Sequence, residues 1–371
     1  MSAYLLPARR HCTLAHPSAA AVAMTDLVLT QPDDWHLHLR DGAAMVDVLA
    51  HSAREFGRAV VMPNLRPPVT TLAAALAYRE RILAARPAGS PFEPLMTLYL
   101  TERTAPAEIA AAAADPRIIG VKLYPAGATT HSDAGVTDIR RVEPVLAAMA
   151  ESGLPLLVHG EVTDPAVDVF DRERVFLDRV LAPLCRRLPA LKVVLEHVTT
   201  AEGVAFVREG GANVGATITP QHLLYSRNAL FEGGLRPHRY CLPVLKRERD
   251  RQALIEAATA GESRFFLGTD SAPHARGAKL ADCGCAGCFT AHAALALYAE
   301  VFESVGRLAA LEAFASHNGP RFYGLPVNTG RVRLVRAPWT TPATLPLGGD
   351  VLVPLRAGET LAWQAQPEPT P

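Results

Sequence analysis

The chain has 371 residues, 49% of them hydrophobic, and its 37 Lys+Arg offset 37 Asp+Glu to a formal net charge of zero. That is enough apolar material for a large core, and it excludes a global basic field that would recruit nucleic acid or an anionic membrane. No apolar run approaches the roughly eighteen residues of a membrane span, and six cysteines in a chain this long make no disulfide framework, so the expected compartment is a reducing cytoplasm.

Residues 1–24 differ from the rest: Arg9, Arg10, serines and many alanines, with no acidic residue before Asp26. The composition is that of a transit peptide. It equally suits a disordered extension or an upstream start codon with Met24 as the true beginning, and we read it in these last two ways. Residues 25–371 are read as one domain.

From Leu27 onward, short runs rich in Val, Ile and Leu alternate with longer stretches of helical period. Apolar runs of this kind suit strands buried on both faces of a parallel sheet. Eight are expected: Asp34–Leu39, Ala59–Pro63, Leu95–Leu100, Gly120–Tyr124, Leu154–His159, Lys192–His197, Asn213–Ile218 and Arg264–Asp270. Helices are expected between them, and two more near Ala291–Val305 and Arg307–His317 after the last strand. Eight alternations predict a closed (β/α)8 barrel of the TIM type. The competitor is an open doubly wound sheet, and the missing Gly-rich fingerprint after the first strand speaks against its nucleotide-binding forms. Residues 327–366, rich in Pro, Thr and short apolar pairs, predict a small C-terminal β appendage, with Gln364–Pro371 as a frayed tail.

The first strand carries His36-Leu37-His38. Histidines at i and i+2 of a strand share a face, and two converging imidazoles suit a metal. In a barrel, chemistry gathers at the carboxyl ends of the strands. There the chain places His36, His38 and Arg40, then Asn64, Lys122, His159, His197 and Asp270. Each alone has a plainer explanation: a hydrogen-bonded strand-end histidine, a lysine reaching out from an edge, an aspartate capping the next helix. Together they form a metal site. Four histidines and an aspartate exceed one tetrahedral zinc with an open position, so two metals with a shared ligand are expected. An ammonium cannot bridge two cations. Lys122 carbamylated by CO2 would be an anionic carboxylate that can, and burial favours the neutral amine that reacts with CO2.

This set resembles the bacterial-type (class II) dihydroorotases of the metal-dependent amidohydrolase superfamily. The resemblance runs from about Asp26 to Gly358 through Pro32–Gly42, Val61–Asn64, Lys122–Pro125, Leu157–Glu161, Glu196-His197, Ala216–His222, Arg236–His238, Tyr240–Pro243, Gly268–His274, Cys283–Phe289 and Asn318–Pro320. It implies two Zn2+ per subunit, one held by His36, His38, carbamylated Lys122 and Asp270, the other by the same carbamate with His159 and His197, with a bridging hydroxide. It implies ring closure of N-carbamoyl-L-aspartate to L-dihydroorotate, or the reverse, in pyrimidine (UMP) synthesis, with Asp270 as general base and then acid. Arg40, Asn64 and His274 match positions that hold the substrate carboxylate, His159 also meets the substrate, and Leu242 and Ala286 contact the pyrimidine edge through their backbones. Thr129 and Thr130 match a mobile loop that closes over carbamoyl-aspartate. A homodimer is implied too.

Two rivals are weighed. A hydantoinase or dihydropyrimidinase would share the metals but needs no carboxylate site of Arg40, Asn64 and His274. A non-catalytic barrel would show eroded ligand positions, and none is eroded. Cys283, Cys285 and Cys288 tempt a zinc-ribbon reading, but lack the second close pair such a site wants. His222 and His238 are read as structural, and Asp34 as an orienting partner for a nearby histidine.

Overall fold

The computed structural model describes residues 26–368, so the readings of residues 1–24 lie outside the described residues. The chain opens with β1 (Asp26–Thr30) and then β2 (Asp33–Leu37), β3 (Arg58–Val61), β4 (Glu93–Tyr99), β5 (Ile118–Leu123), β6 (Leu156–His159), β7 (Val193–Glu196), β8 (Val214–Ile218) and β9 (Phe265–Leu267). The last eight pair in parallel in chain order from β2 to β9, and each falls on one of the eight expected runs. Just past the regular strands β9 returns to β2: the Asp270 N–H donates to the His36 carbonyl (2.9 Å) and the His38 N–H to the Ser271 carbonyl (3.2 Å). The barrel is the expected one, and its seam lies at the opening motif.

Two apolar layers hold it. Trp35, Val60, Leu95, Ile119, Leu157, Val194 and Phe266 fill the interior, while the outward residues of the same strands pack against the helices. Trp35 stacks on Tyr323 from helix Asn318–Tyr323 (centroids 4.4 Å, planes 8° apart) and closes the barrel floor. Such a pair adds about 0.5–1.5 kcal/mol beyond its buried area. Gly319 permits it, since a Cβ there would stand 1.9 Å from the Trp35 Nε1.

Strand ends pass directly into helix caps. Thr200 accepts from the Gly203 N–H and Thr219 from the His222 N–H, opening helices Ala201–Glu209 and Pro220–Leu224. Side-chain caps of this kind are worth about 1 kcal/mol, and here they also fix the turns that leave β7 and β8.

The terminal region departs from expectation. After β10 (Arg331–Val335), β11 (Trp339–Thr340), β12 (Leu345–Leu347), β13 (Asp350–Leu352) and β14 (Thr360–Leu361), the stretch Gln364–Pro367 forms β15 and is no frayed tail. β10 pairs antiparallel with β15 and with β1, giving a three-stranded sheet. β1 was not foreseen because its partner lies some 300 residues away, Leu29 facing Val332. β12 and β13 form a hairpin around Gly348 and Gly349, both at positive φ, as a tight primed turn requires.

Candidate active site

His36 lies in β2, and His38 and Arg40 follow its end. The strict alternation expected through Arg40 stops there, because Arg40 takes a left-handed φ of 64°. Its side chain still reaches the same cavity. That cavity, at the carboxyl end of the barrel, is lined by His36, His38, Arg40, Asn64, Thr129, Thr130, His159, His197, Leu242, Asp270 and Ala286, with Tyr124, Ala272 and Gly287 besides. Of the site residues expected from sequence, Lys122 and His274 alone stand outside the lining.

His36 Nε2 and His38 Nε2 lie 3.2 Å apart, and Asp270 Oδ1 is 3.3 Å from the first and 3.1 Å from the second. Three buried donors on one point fit a divalent cation. His38 donates from Nδ1 to Asn64 Oδ1 (2.9 Å), which leaves Nε2 with its lone pair toward Asp270. The His36, His197 and His159 rings continue the line, centroids 5.0 and 4.9 Å apart. His197 Nδ1 is buried without a partner, as a ligand atom lacking its metal would be.

The charges reinforce this. Burial would lower the His36 pKa, but the Glu196 and Asp270 carboxylates outweigh it and push it up to about 9. Burial takes His38 down to about 4. Burial would raise Asp270, yet the two histidines hold it well below the usual carboxylate range. The His36 imidazolium thus lies between Glu196 at Nδ1 and Asp270 at Nε2, and a dication at Nε2 would take the place of its proton.

Lys122 is fully buried, and burial lowers its pKa despite Glu196. Its Nζ pairs with the Glu196 carboxylate.

Arg40 meets the expected carboxylate side of the cavity. Its Nε donates to the Pro273 carbonyl (3.0 Å) and its Nη2 to His274 Nε2 (3.0 Å). Burial first, then Arg40, lowers the His274 pKa to about 2. His274 therefore stays neutral and braces Arg40 from behind. Asn64 does two jobs: beyond holding His38, its Nδ2 donates to the Thr130 carbonyl (3.1 Å). Thr130 Oγ1 reaches the Ala286 carbonyl (3.5 Å), so the Thr129–Thr130 loop touches both Asn64 and Ala286 on the cavity wall.

Three polar residues beside the metal group had no role in the sequence reading. Glu196 Oε1 lies 3.1 Å from His36 Nδ1, Glu161 Oε2 lies 2.8 Å from His159 Nε2, and the buried Tyr124 hydroxyl lacks a partner. The signal was present in His159-Gly160-Glu161 and Glu196-His197, acids beside ligand candidates. One reading is corrected: Asp34 orients no imidazole. It accepts from the Thr269 N–H (2.8 Å), the Thr269 hydroxyl (2.6 Å) and the His36 N–H (3.2 Å), clamping β2 to β9. His222 is structural, donating to the Pro243 carbonyl (2.9 Å). Among the described residues the groups able to hold a metal are His36–His38–Asp270 and His36–Glu196–His197, with no cysteine among them.

A sequence model of the amidohydrolase family matches residues 33–337. The chain is 67% identical to a dihydroorotase of Cupriavidus taiwanensis over 340 residues, 92% of this chain and 99% of that one. Among solved structures, it is similar to dihydroorotase of Saccharomyces cerevisiae in complex with 5-fluoroorotic acid (TM-score 0.87, 33% identity, 94% of this chain and 100% of that one). It is similar also to the enzyme of Campylobacter jejuni (TM-score 0.84, 37% identity, 92% and 97%). The chain belongs to the amidohydrolase family and, within it, to the dihydroorotases.

Proposed function

We propose that this chain interconverts N-carbamoyl-L-aspartate with L-dihydroorotate and water in pyrimidine synthesis, at a centre of two Zn2+ ions. The observation that carries the reading is the meeting of His36, His38 and Asp270 at about 3 Å in the cavity that Arg40 also lines. One metal would be held by His36, His38 and Asp270, the other by His159 and His197, and Lys122 would bridge them as a carbamate. Its buried, pKa-lowered amine supports that modification. When bound, the metals lower the pKa of water and polarise the amide carbonyl.

The chain's own groups do the rest. In the hydrolytic direction Asp270 accepts the proton of the attacking water and delivers it to the ring nitrogen as the C–N bond breaks. Synthesis runs the same transfer backwards. Arg40 holds the carboxylate outside the reacting amide as a two-pronged donor, kept in place by His274 and the Pro273 carbonyl. Asn64 keeps His38 in the required tautomer. The Thr129–Thr130 loop excludes water, and the backbones of Leu242 and Ala286 face the pyrimidine edge.

The hydantoinase or dihydropyrimidinase alternative lacks a use for the Arg40–His274 pair. Turnover of dihydroorotate and of dihydrouracil on one preparation, with zinc counted, tests the choice. Dihydroorotate is expected to be hydrolysed far faster, with two zincs per chain; faster dihydrouracil hydrolysis overturns the reading. A homodimer in the cytoplasm is part of this reading, on the family resemblance alone. No helix among the described residues is long and apolar enough to cross a membrane.

A further inference from the structure

Behind His159 and His197 lies a buried ionic group that the proposed chemistry does not use. β6 ends at His159, and the chain turns so tightly that the Glu161 N–H donates to the His159 carbonyl (3.2 Å). Gly160 lets the turn pack close against β7, for a Cβ there would stand 2.7 Å from Leu195 Cδ1. Residues 159 and 161 therefore converge, and His159 Nε2 and Glu161 Oε2 meet at 2.8 Å. A carboxylate can only accept, so the proton sits on Nε2 and the His159 lone pair on Nδ1.

The other Glu161 oxygen has no hydrogen-bond partner. Its nearest cation is Lys246, with Nζ 4.0 Å away and both side chains 1% exposed. Lys246 belongs to the segment that begins at Leu242, and its Nζ donates to the Val244 carbonyl (2.9 Å). A second buried acid, Glu173, accepts from the N–H groups of Thr199 (2.9 Å) and Thr200 (2.8 Å), anchoring the turn that follows His197. Burial raises the Glu173 pKa, and Lys246 offsets part of that rise. Two acids thus hold the two histidine-bearing turns, and one buried lysine from the Leu242 segment serves both.

We propose that Glu161 and Lys246 are positioning residues that set the His159 side of the metal centre and tie it to the Leu242 segment against the substrate. This rests on the two-metal reading above. Its consequence is selective. Loss of Glu161 frees the His159 ring and weakens one metal, while His36, His38 and Asp270 keep the other. Loss of Lys246 removes the cation 4.0 Å from Glu161 and shifts the Leu242 segment as well.

The test follows zinc release from the loaded full-length protein into a competing chelator, with KM and kcat for dihydroorotate on the same samples. Glu161→Gln keeps the shape and an acceptor oxygen, so it guards against misfolding; Glu161→Ala removes both. One zinc is expected to leave Glu161→Ala about ten- to a hundredfold more readily, the other as in the parent, with Glu161→Gln between. Lys246→Met should weaken the same zinc and raise KM by at least about fivefold. The Glu161→Gln/Lys246→Met double variant should show less than the summed effects on zinc release, since both act through one path. Parental or parallel release of both zincs from Glu161→Ala overturns the proposal, as do additive effects in the double variant. So does a Lys246→Met protein that only melts earlier. A parent holding a single zinc would instead overturn the two-metal reading itself.

Discussion

Asp270 and His36 meet twice. The Asp270 N–H donates to the His36 carbonyl at 2.9 Å, and the Asp270 carboxylate stands 3.3 Å from His36 Nε2. The first contact helps close the barrel between its last and first strands; the second belongs to the group that could hold a metal. These two residues cannot drift apart without opening the seam. Asp34 reinforces it with hydrogen bonds from Thr269, each worth about 1.5–3 kcal/mol when the acceptor is charged.

Asp270→Asn should leave this backbone seam intact and remove the proton carrier. We expect kcat to fall by about 10²–10⁴-fold with KM changed only a few-fold. Steady-state kinetics on zinc-loaded protein checks this; an unchanged kcat would remove Asp270 from proton transfer.

If the Lys122 carbamate bridges the metals as proposed, Lys122→Ala should bring activity to background. Short carboxylic acids added with zinc should restore part of it by occupying the vacated volume. Full activity in the variant would mean that the bridging role is misassigned.

Arg40→Lys keeps the charge but loses the fork. Dihydroorotate kcat/KM should fall by about ten- to a hundredfold, the loss of one or two charge-assisted hydrogen bonds, while residual hydrolysis of dihydrouracil, which lacks that carboxylate, should not change. A parallel fall for both substrates would place Arg40 in the fold and not in recognition.

Metal removal should abolish activity, and zinc with bicarbonate should restore it. The Glu196 and Asp270 carboxylates push the His36 pKa up to about 9 against burial, so below that pH a proton must leave before metal binds. Zinc affinity should therefore weaken by about tenfold per pH unit as pH falls through this range, one proton being released per metal. Metal-competition titrations at several pH values measure it, and a flat profile would show that His36 does not exchange its proton for metal.

The eight barrel strands were legible because each is a short apolar run between helical stretches. A strand buried on both faces advertises itself whatever its partners. β1 and β15 were not, since a marginal run such as Leu27-Val28-Leu29 becomes a strand only when Val332 and its neighbours arrive from the far end of the chain. Hydrogen-bond partners behaved likewise. From its place in the chain Asp34 is expected to orient a histidine, but its carboxylate turns to Thr269 across the seam. The supporting acids Glu161 and Glu196 sat in plain view beside His159 and His197, with nothing in the sequence to say where they point.

By itself, the sequence determined the barrel, the metal-binding residue types at its strand ends and the family. Those follow from hydrophobic period and from residues whose chemistry has few other uses. Only the tertiary structure decided how they are held. Arg40, His131, His197 and Asp270, four of the five non-glycine residues at positive φ among the described residues, belong to the cavity or its loop. Such a backbone costs about 1–3 kcal/mol at each position and persists only where surrounding packing imposes it. No local propensity announces a conformation that the residue itself disfavours; it takes the assembled seam, the floor of Trp35 and Tyr323 and the buried acids behind the histidines to hold it.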